Sequence, residues 1–163
     1  LEAAGIRVKL DDSDQSPGWK YAEYEMKGVP LRLEIGPRDI ENNQCVLVRR
    51  DNRQKVFVSL DELDKVIPQI LADITEGLYN KALENRRNRT FTETDLDSFI
   101  ETAKNKSGYI RAHWCGDLEC ELKLKELADV TSRCLPFGEQ GTEGTCICCG
   151  KKTDKLVYWG KAY

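Results

Sequence analysis

Two closely spaced cysteine pairs constrain this chain more than any other feature of its sequence. Cys115 and Cys120 form a C-x4-C pair, Cys146 and Cys149 a C-x2-C pair, and 25 residues separate the two. Four thiolates arranged this way suit a structural Zn²⁺, because the ion takes four soft ligands in a tetrahedron and one tight turn can present two of them. The second pair runs into Gly150-Lys151-Lys152, as in a knuckle turn. Cys115, Cys120, Cys146 and Cys149 are therefore the candidate metal ligands. Cys148 leaves a second spacing open, Cys146-x-Cys148. His113, the single histidine, lies two residues before Cys115 and could replace one thiolate, although a surface or hydrogen-bonded role suits it better.

The chain has seven cysteines, six of them in its last 49 residues. An odd count without a leader does not suit a secreted disulfide scaffold. The expectation is a reducing, cytoplasmic setting in which the C-terminal thiols serve a metal. Cys45, inside the apolar run Cys45-Val46-Leu47-Val48, reads as an inert buried thiol. Cys134, in Arg133-Cys134-Leu135-Pro136-Phe137, reads the same way. A thiol oxidoreductase is the rival for the C-x2-C pair, but a reactive pair opens a helix whose N-terminus lowers the thiol pKa. Here Gly150-Lys151-Lys152-Thr153-Asp154 follows, and then the strand-like Leu156-Val157-Tyr158-Trp159.

Composition narrows the function classes. The 163 residues are 40% apolar, enough for one ordinary domain or a small domain with a satellite. Lys and Arg number 25 against 28 Asp and Glu, so the chain does not bind nucleic acid by bulk charge. No apolar run approaches the roughly 18 residues of a membrane span, so no membrane partner is expected. The chain opens LEAAGIRVKL, with no Met, basic n-region or apolar h-region, which predicts no signal peptide and a segment removed upstream. There is no G-x-S-x-G, Gly-rich phosphate loop or H-E-x-x-H.

Along the chain, residues 1–4 read as a last helical turn stopped by Gly5. Ile6, Val8 and Leu10 alternate with charged residues and predict a strand. A polar loop from Asp11 to Gly18 leads to a short helix, Trp19 to Lys27, closed by Gly28. Val29, Leu31, Leu33 and Ile35 predict a second strand, with Arg32 and Glu34 on its polar face, broken at Gly36-Pro37. Gln44–Arg50 and Lys55–Val58 read as a hairpin around Asp51-Asn52-Arg53-Gln54. Ser59 and Glu62 look like a capping box. The helix after it carries Leu63, Ile67, Ile70, Leu71, Ile74 and Leu78, with Pro68 expected to kink or split it. Strand, helix, strand, hairpin and helix make an α/β layout with a mixed sheet and flanking helices. The run Asn85 to Arg89 marks a boundary, giving domains 1–86 and 87–163. The second opens with a helix bearing Leu96, Phe99, Ile100 and Ala103. From Tyr109 on it turns to short strands, turns and the cysteine-rich, zinc-type knuckle of a small α+β domain.

Lys20, Glu23, Glu25, Lys27, Arg32, Glu34, Arg38 and Asp39 are interleaved with Trp19, Tyr21 and Tyr24. Readers of single-stranded RNA use this mix: aromatics stack bases, carboxylates accept from base N–H groups, and Arg donates to guanine O6/N7 or to phosphate. The plain alternative is a solvated helix and sheet face with ordinary ion pairs. Arg49, Arg50, Arg53 and Lys55 make a basic hairpin tip, which also serves as edge protection. On residues alone, a stand-alone RNA- or protein-interaction module with a structural zinc stays open.

The stretch Lys27-Gly-Val-Pro-Leu-Arg-Leu-Glu-Ile-Gly-Pro-Arg-Asp39, with Ser16-Pro17-Gly18-Trp19 before it, resembles the anticodon-binding domain of prolyl-tRNA synthetases. Trp114-Cys115-Gly116-Asp117, Cys120-Glu121, Thr131 to Phe137, the second Cys pair with Gly150-Lys151, and the ending Lys161-Ala162-Tyr163 resemble the C-terminal zinc-binding domain of the archaeal/eukaryote-like form of that family. Two departures stand out: the family's anticodon domain starts one strand and one helix earlier, and Cys148 is an extra thiol inside the knuckle. The resemblance implies the class II synthetase anticodon-binding fold and a non-catalytic part of an aminoacyl-tRNA ligase. The whole enzyme would activate proline with ATP and Mg²⁺ in a catalytic domain upstream, dimerise, and esterify proline to tRNA(Pro). Glu25, Arg32, Arg38 and Asp39 match the family's contacts to the two guanines of the proline anticodon. Tyr163 matches a terminal tyrosine that packs toward the catalytic domain.

Overall fold

Ser16 and Pro17 start the first helix two residues earlier than the polar-loop reading has it. In the computed structural model, which describes residues 1–139 and 141–162, α1 runs Pro17–Met26. Pro17 takes the first helical position, where its missing N–H costs nothing, and the Ser16 hydroxyl accepts the Trp19 N–H at 3.4 Å. Gly28 ends the turn at φ 82°, a left-handed conformation that glycine adopts freely. Asp11 lies in the loop before the helix. Its carboxyl accepts from the Ser13 hydroxyl and N–H and pairs with Lys20 at 3.3 Å, which holds its pKa down at about 2.

The chain divides into two units, Leu1–Lys81 and Ala82 onward. In the first, β1 (Leu31–Glu34), β2 (Gln44–Arg49) and β3 (Lys55–Ser59) form one antiparallel sheet in the order β1-β2-β3. A short helix, α2 (Pro37–Glu41), stands between β1 and β2 where the sequence suggests only a break. The hairpin at Asp51 to Gln54 forms as expected, with Arg53 at φ 61°. One sheet face carries Leu31, Leu33, Cys45, Leu47, Val56 and Val58 into a core shared with Ile67, Ile70 and Ile74. Those isoleucines lie on α3 (Leu63–Asn88).

Several local expectations fail here. Residues 6–10 form no strand: no strand of the described residues pairs with them, and Val8 and Leu10 are exposed. Alternation alone does not satisfy backbone N–H and C=O groups; a neighbouring strand must do so. The Ser59 hydroxyl accepts from Asp61 N–H at 3.3 Å and opens a 3-10 turn, Leu60–Glu62; among the described residues Glu62 makes no capping-box bond back to Ser59. Pro68 does not split α3. It sits in the second turn, and the loss of one hydrogen bond, about 3 kcal/mol with the ring clash, is offset by burying Ile67, Ile70 and Ile74. Leu78 is exposed and lies off the buried stripe.

In the second unit β4 (Thr90–Thr92), β5 (Tyr109–His113), β9 (Leu156–Gly160) and β6 (Thr131–Cys134) form a sheet in the order β4-β5-β9-β6. β4 and β5 are parallel and joined through α4 (Leu96–Asn105); the other pairs are antiparallel. α5 (Leu118–Ala128) lies between β5 and β6, and β7 (Gly144–Thr145) pairs with β8 (Lys152–Thr153). Trp159 is fully buried, with Phe99 and Trp114 edge-on to it at 6.1 Å each. The structure thus combines α and β elements, sheets with flanking helices and a cysteine cluster, as the sequence suggests. α5 was not expected. Its buried stripe is Cys120, Leu124 and Ala128, at i, i+4 and i+8, while Leu118 and Leu122 face outward, so apolarity alone hides the helix. No helix of the described residues is long and apolar enough to cross a membrane.

Candidate functional site

The cysteines converge from three segments. Cys115 follows the end of β5, and Cys120 sits in the first turn of α5, whose N-terminus Asp117 caps by accepting the Glu119 N–H at 3.1 Å. Cys146 and Cys149 lie in the turn between β7 and β8. Gly150, at φ 73°, returns its N–H to the Cys146 carbonyl at 2.9 Å, and Cys146 donates to the Lys151 carbonyl at 2.8 Å. Ile147 N–H bonds the His113 carbonyl at 2.9 Å, which ties this turn to β5, and Trp114 N–H bonds the Lys155 carbonyl at 3.0 Å just beyond β8.

The four sulfurs all lie within 4.8 Å of one another. Cys115 Sγ is 3.7 Å from Cys120 Sγ and 3.8 Å from Cys149 Sγ. A tetrahedron with Zn–S bonds of about 2.3 Å has S···S edges of about 3.8 Å, so the donor set fits a tetrahedral thiolate site. Burial pushes the Cys146 thiol up, but backbone N–H groups of Cys149, Cys148 and Cys115 outweigh it and bring the pKa down to about 7. Burial and neighbouring thiols raise Cys120, and burial raises Cys115. Cys148 packs against the hydrophobic core and is not one of the four. His113 is also outside the cluster; its Nε2 bonds the Thr142 carbonyl at 3.0 Å. No helix follows Cys149, as a redox pair would need. Cys45 is buried as expected; Cys134 is exposed, because it ends β6 on the side away from the core.

The second constellation is on the first unit. Arg32 projects from the face of β1 opposite the core. Its Nη1 donates to Glu25 at 2.9 Å and its Nε to Glu34 at 2.8 Å, and the guanidinium lies 3.8 Å from the centre of the Tyr21 ring. Nη2 has no partner among the described residues. Burial raises the Tyr21 pKa, and the Glu34 carboxylate adds to the rise. Arg50 Nε holds the Glu25 carbonyl at 2.9 Å, which fixes the last turn of α1 beside β2. Tyr24, Glu25, Val29, Arg32, Val48 and Arg50 line a shallow cleft there.

Glu25 and Arg32 are thus in direct contact, while Arg38 and Asp39 form no hydrogen bond or ion pair with either of them. Both lie on α2, Arg38 exposed and without a charged partner among the described residues. Asp39 Oδ2 accepts the Gly36 N–H at 2.9 Å and so starts the helix. Replacing Asp39 with Ala should lower stability by about 1 kcal/mol, and Asn, which keeps an acceptor, should restore most of it; thermal melts of the two variants test this. Glu34 and Tyr21, which hold Arg32, fall outside the four positions carried over from the family motif. Their two-residue and eleven-residue offsets from Arg32 were visible, but only the strand and helix positions show that they meet. Tyr163 lies outside the described residues.

Known families match both units. Residues 1–70 match the model described as "Anticodon binding domain" and residues 96–163 that described as "Prolyl-tRNA synthetase, C-terminal". The chain is 54% identical over 158 residues to a proline–tRNA ligase of Clostridium botulinum and 57% identical over 157 to that of Clostridium novyi, covering 97% and 96% of this chain and 33% of each relative. It is 53% identical over its full length to the proline–tRNA ligase of Lachnospira eligens, covering 34% of it. A crystal structure of prolyl-tRNA synthetase from Cryptosporidium parvum with L-proline and AMP superposes on all of this chain, and on 35% of that one, with a TM-score of 0.88 and 35% identity. This chain therefore spans about a third of the length of these relatives. The two family models, matched in order along one chain, show that it belongs to the prolyl-tRNA synthetase family, of which it carries the anticodon-binding region and the C-terminal domain.

Proposed function

We propose that this chain is the part of a proline–tRNA ligase that reads the anticodon of tRNA(Pro). The observation that carries the reading is the Glu25–Arg32 pair, set on the outer sheet face of a region that matches the anticodon-binding domain family. An unstacked guanine offers N1–H and N2–H₂ as donors and O6 and N7 as acceptors. A carboxylate suits the first edge and a guanidinium fork the second. Glu25 and Arg32, with Arg38 and Asp39 on the adjoining α2, are assigned to the two guanines. Esterification belongs to a catalytic domain upstream, with its own ATP and Mg²⁺, in a homodimeric, cytoplasmic enzyme. Residues 1–86 form the anticodon domain and 87–163 the C-terminal one.

Cys115, Cys120, Cys146 and Cys149 would hold a structural Zn²⁺, whose part is to cross-link β5, α5 and the β7–β8 turn. The anticodon reading is tested by binding of the full-length protein to tRNA(Pro) transcripts in which either anticodon guanine is replaced by adenine. Each replacement should weaken binding by roughly tenfold, since adenine lacks O6 and the N1 and N2 donors. Equal affinity for all three transcripts would refute the reading.

A further inference from the structure

The sheet face that carries Arg32 does not end at β1. In register, Arg32 stands beside Val48 and Val48 beside Lys55; Glu34 stands beside Val46 and Val46 beside Phe57. Facing residues of paired strands point to the same side. The neighbouring row, Leu33, Leu47 and Val56, packs into the core on the other side. Phe57 therefore shares the outer face with Arg32 and Glu34. It is 67% exposed, whereas Val48 on the same face is 5% exposed. Two strand spacings put it about 10 Å across the sheet from Glu34.

A single exposed apolar side chain on a protein surface needs no explanation. Phe57 differs in its place. It extends the face of the Arg32 cleft, on an edge strand paired on one side only, and the exposed Lys55 adds a cation to the same face. Aromatic rings on an open sheet face are what single-stranded RNA readers use to stack bases.

We infer that Phe57 is a stacking platform for the third anticodon base, the one beside the two guanines. This rests on the anticodon reading above. The two sites divide the work by chemistry. Glu25 and Arg32 meet base edges and select guanine; a phenyl ring meets a base's π-face, which every base has, and so holds the third base without choosing it.

The test uses the full-length protein and tRNA(Pro) transcripts with 2-aminopurine, whose fluorescence falls on stacking, at that third position. Wild type should quench the probe. Phe57→Ala and Phe57→Leu should each restore fluorescence and weaken binding by roughly 5- to 10-fold, whichever base occupies the position, while Phe57→Trp quenches and binds at least as well as wild type. Quenching and affinity unchanged in Phe57→Ala, or fully kept in Phe57→Leu, would overturn the proposal; the second result would mark an apolar contact without stacking. Arg32→Ala, measured alongside, separates the two ideas. If it weakens binding and Phe57→Ala does not, the platform fails and the anticodon reading stands; if Arg32→Ala binds as wild type, the reading itself fails.

Discussion

Protein purified without chelator should contain one zinc ion per chain, and stripping it should unfold much of the second unit while the first keeps its protection. The sulfurs of Cys115, Cys120, Cys146 and Cys149 come from three separate segments, and the β7–β8 hairpin has only two residues per strand. One backbone hydrogen bond, Ile147 N–H to the His113 carbonyl, ties its turn to β5, and Gly144 packs against the His113 ring. So little secondary structure does not hold a turn in place alone, and binding energy of a structural zinc, of order 10 kcal/mol, is folding energy. Hydrogen exchange with and without a strong chelator reads the outcome. Amides in β5, α5 and 144–160 should lose protection; those of β1 to β3 should not. Cys149→Ser, at an exposed position outside the core, should reproduce the loss without chelator. Elemental analysis finding no zinc, or unchanged exchange in both arms, would remove the metal from the account.

The cysteine spacing was legible because a tetrahedral ion imposes a local rule: two ligands per turn, whatever the fold around them. Spacing did not tell Cys146-Cys148 from Cys146-Cys149. In the structure the turn brings Cys149 rather than Cys148 into the four-sulfur cluster: Cys148 packs against the hydrophobic core, and Cys149 Sγ lies 3.8 Å from Cys115 Sγ. Helices with a full apolar stripe were also legible, α4 through Leu96, Phe99, Ile100 and Ala103. α5 was not, since its inward positions are a cysteine, a leucine and an alanine while Leu118 and Leu122 face out. The alternation at residues 6–10 misled for the opposite reason. Period two reports which side each residue takes and says nothing of whether a partner strand exists. α2 escaped because five residues are too few for any period; its signals were Gly36-Pro37 and Asp39, which read first as a strand break and a base contact. At the Arg32 cluster the sequence supplied the residue types, and the fold supplied the pairing of Glu25, Arg32, Glu34 and Tyr21.

That pairing makes Arg32 the residue whose loss should cost most in recognition. Its Nε is committed to Glu34 and its Nη1 to Glu25, and Tyr21 lies beneath its plane, so the guanidinium is oriented before any RNA arrives. Nη2 has no partner among the described residues, and with the second N–H of Nη1 it forms the end of the fork that can meet O6 and N7 of a guanine with two parallel hydrogen bonds. A bidentate contact of this kind discriminates by roughly 1–3 kcal/mol. In the full-length protein, Arg32→Ala should lower charging of tRNA(Pro) by about 10- to 100-fold. Arg32→Lys should rescue little, because an ammonium is a point charge without a planar fork. Stability should change far less than recognition: Glu25 and Glu34 keep access to water, with side chains 41% and 22% exposed, and partly exposed ion pairs contribute about 1 kcal/mol or less. Proline activation in the absence of tRNA is the control. If it falls as far as charging does, or if Arg32→Ala and Glu25→Ala both charge normally, the Arg32 cluster is a brace for α1 on the sheet and reads no anticodon.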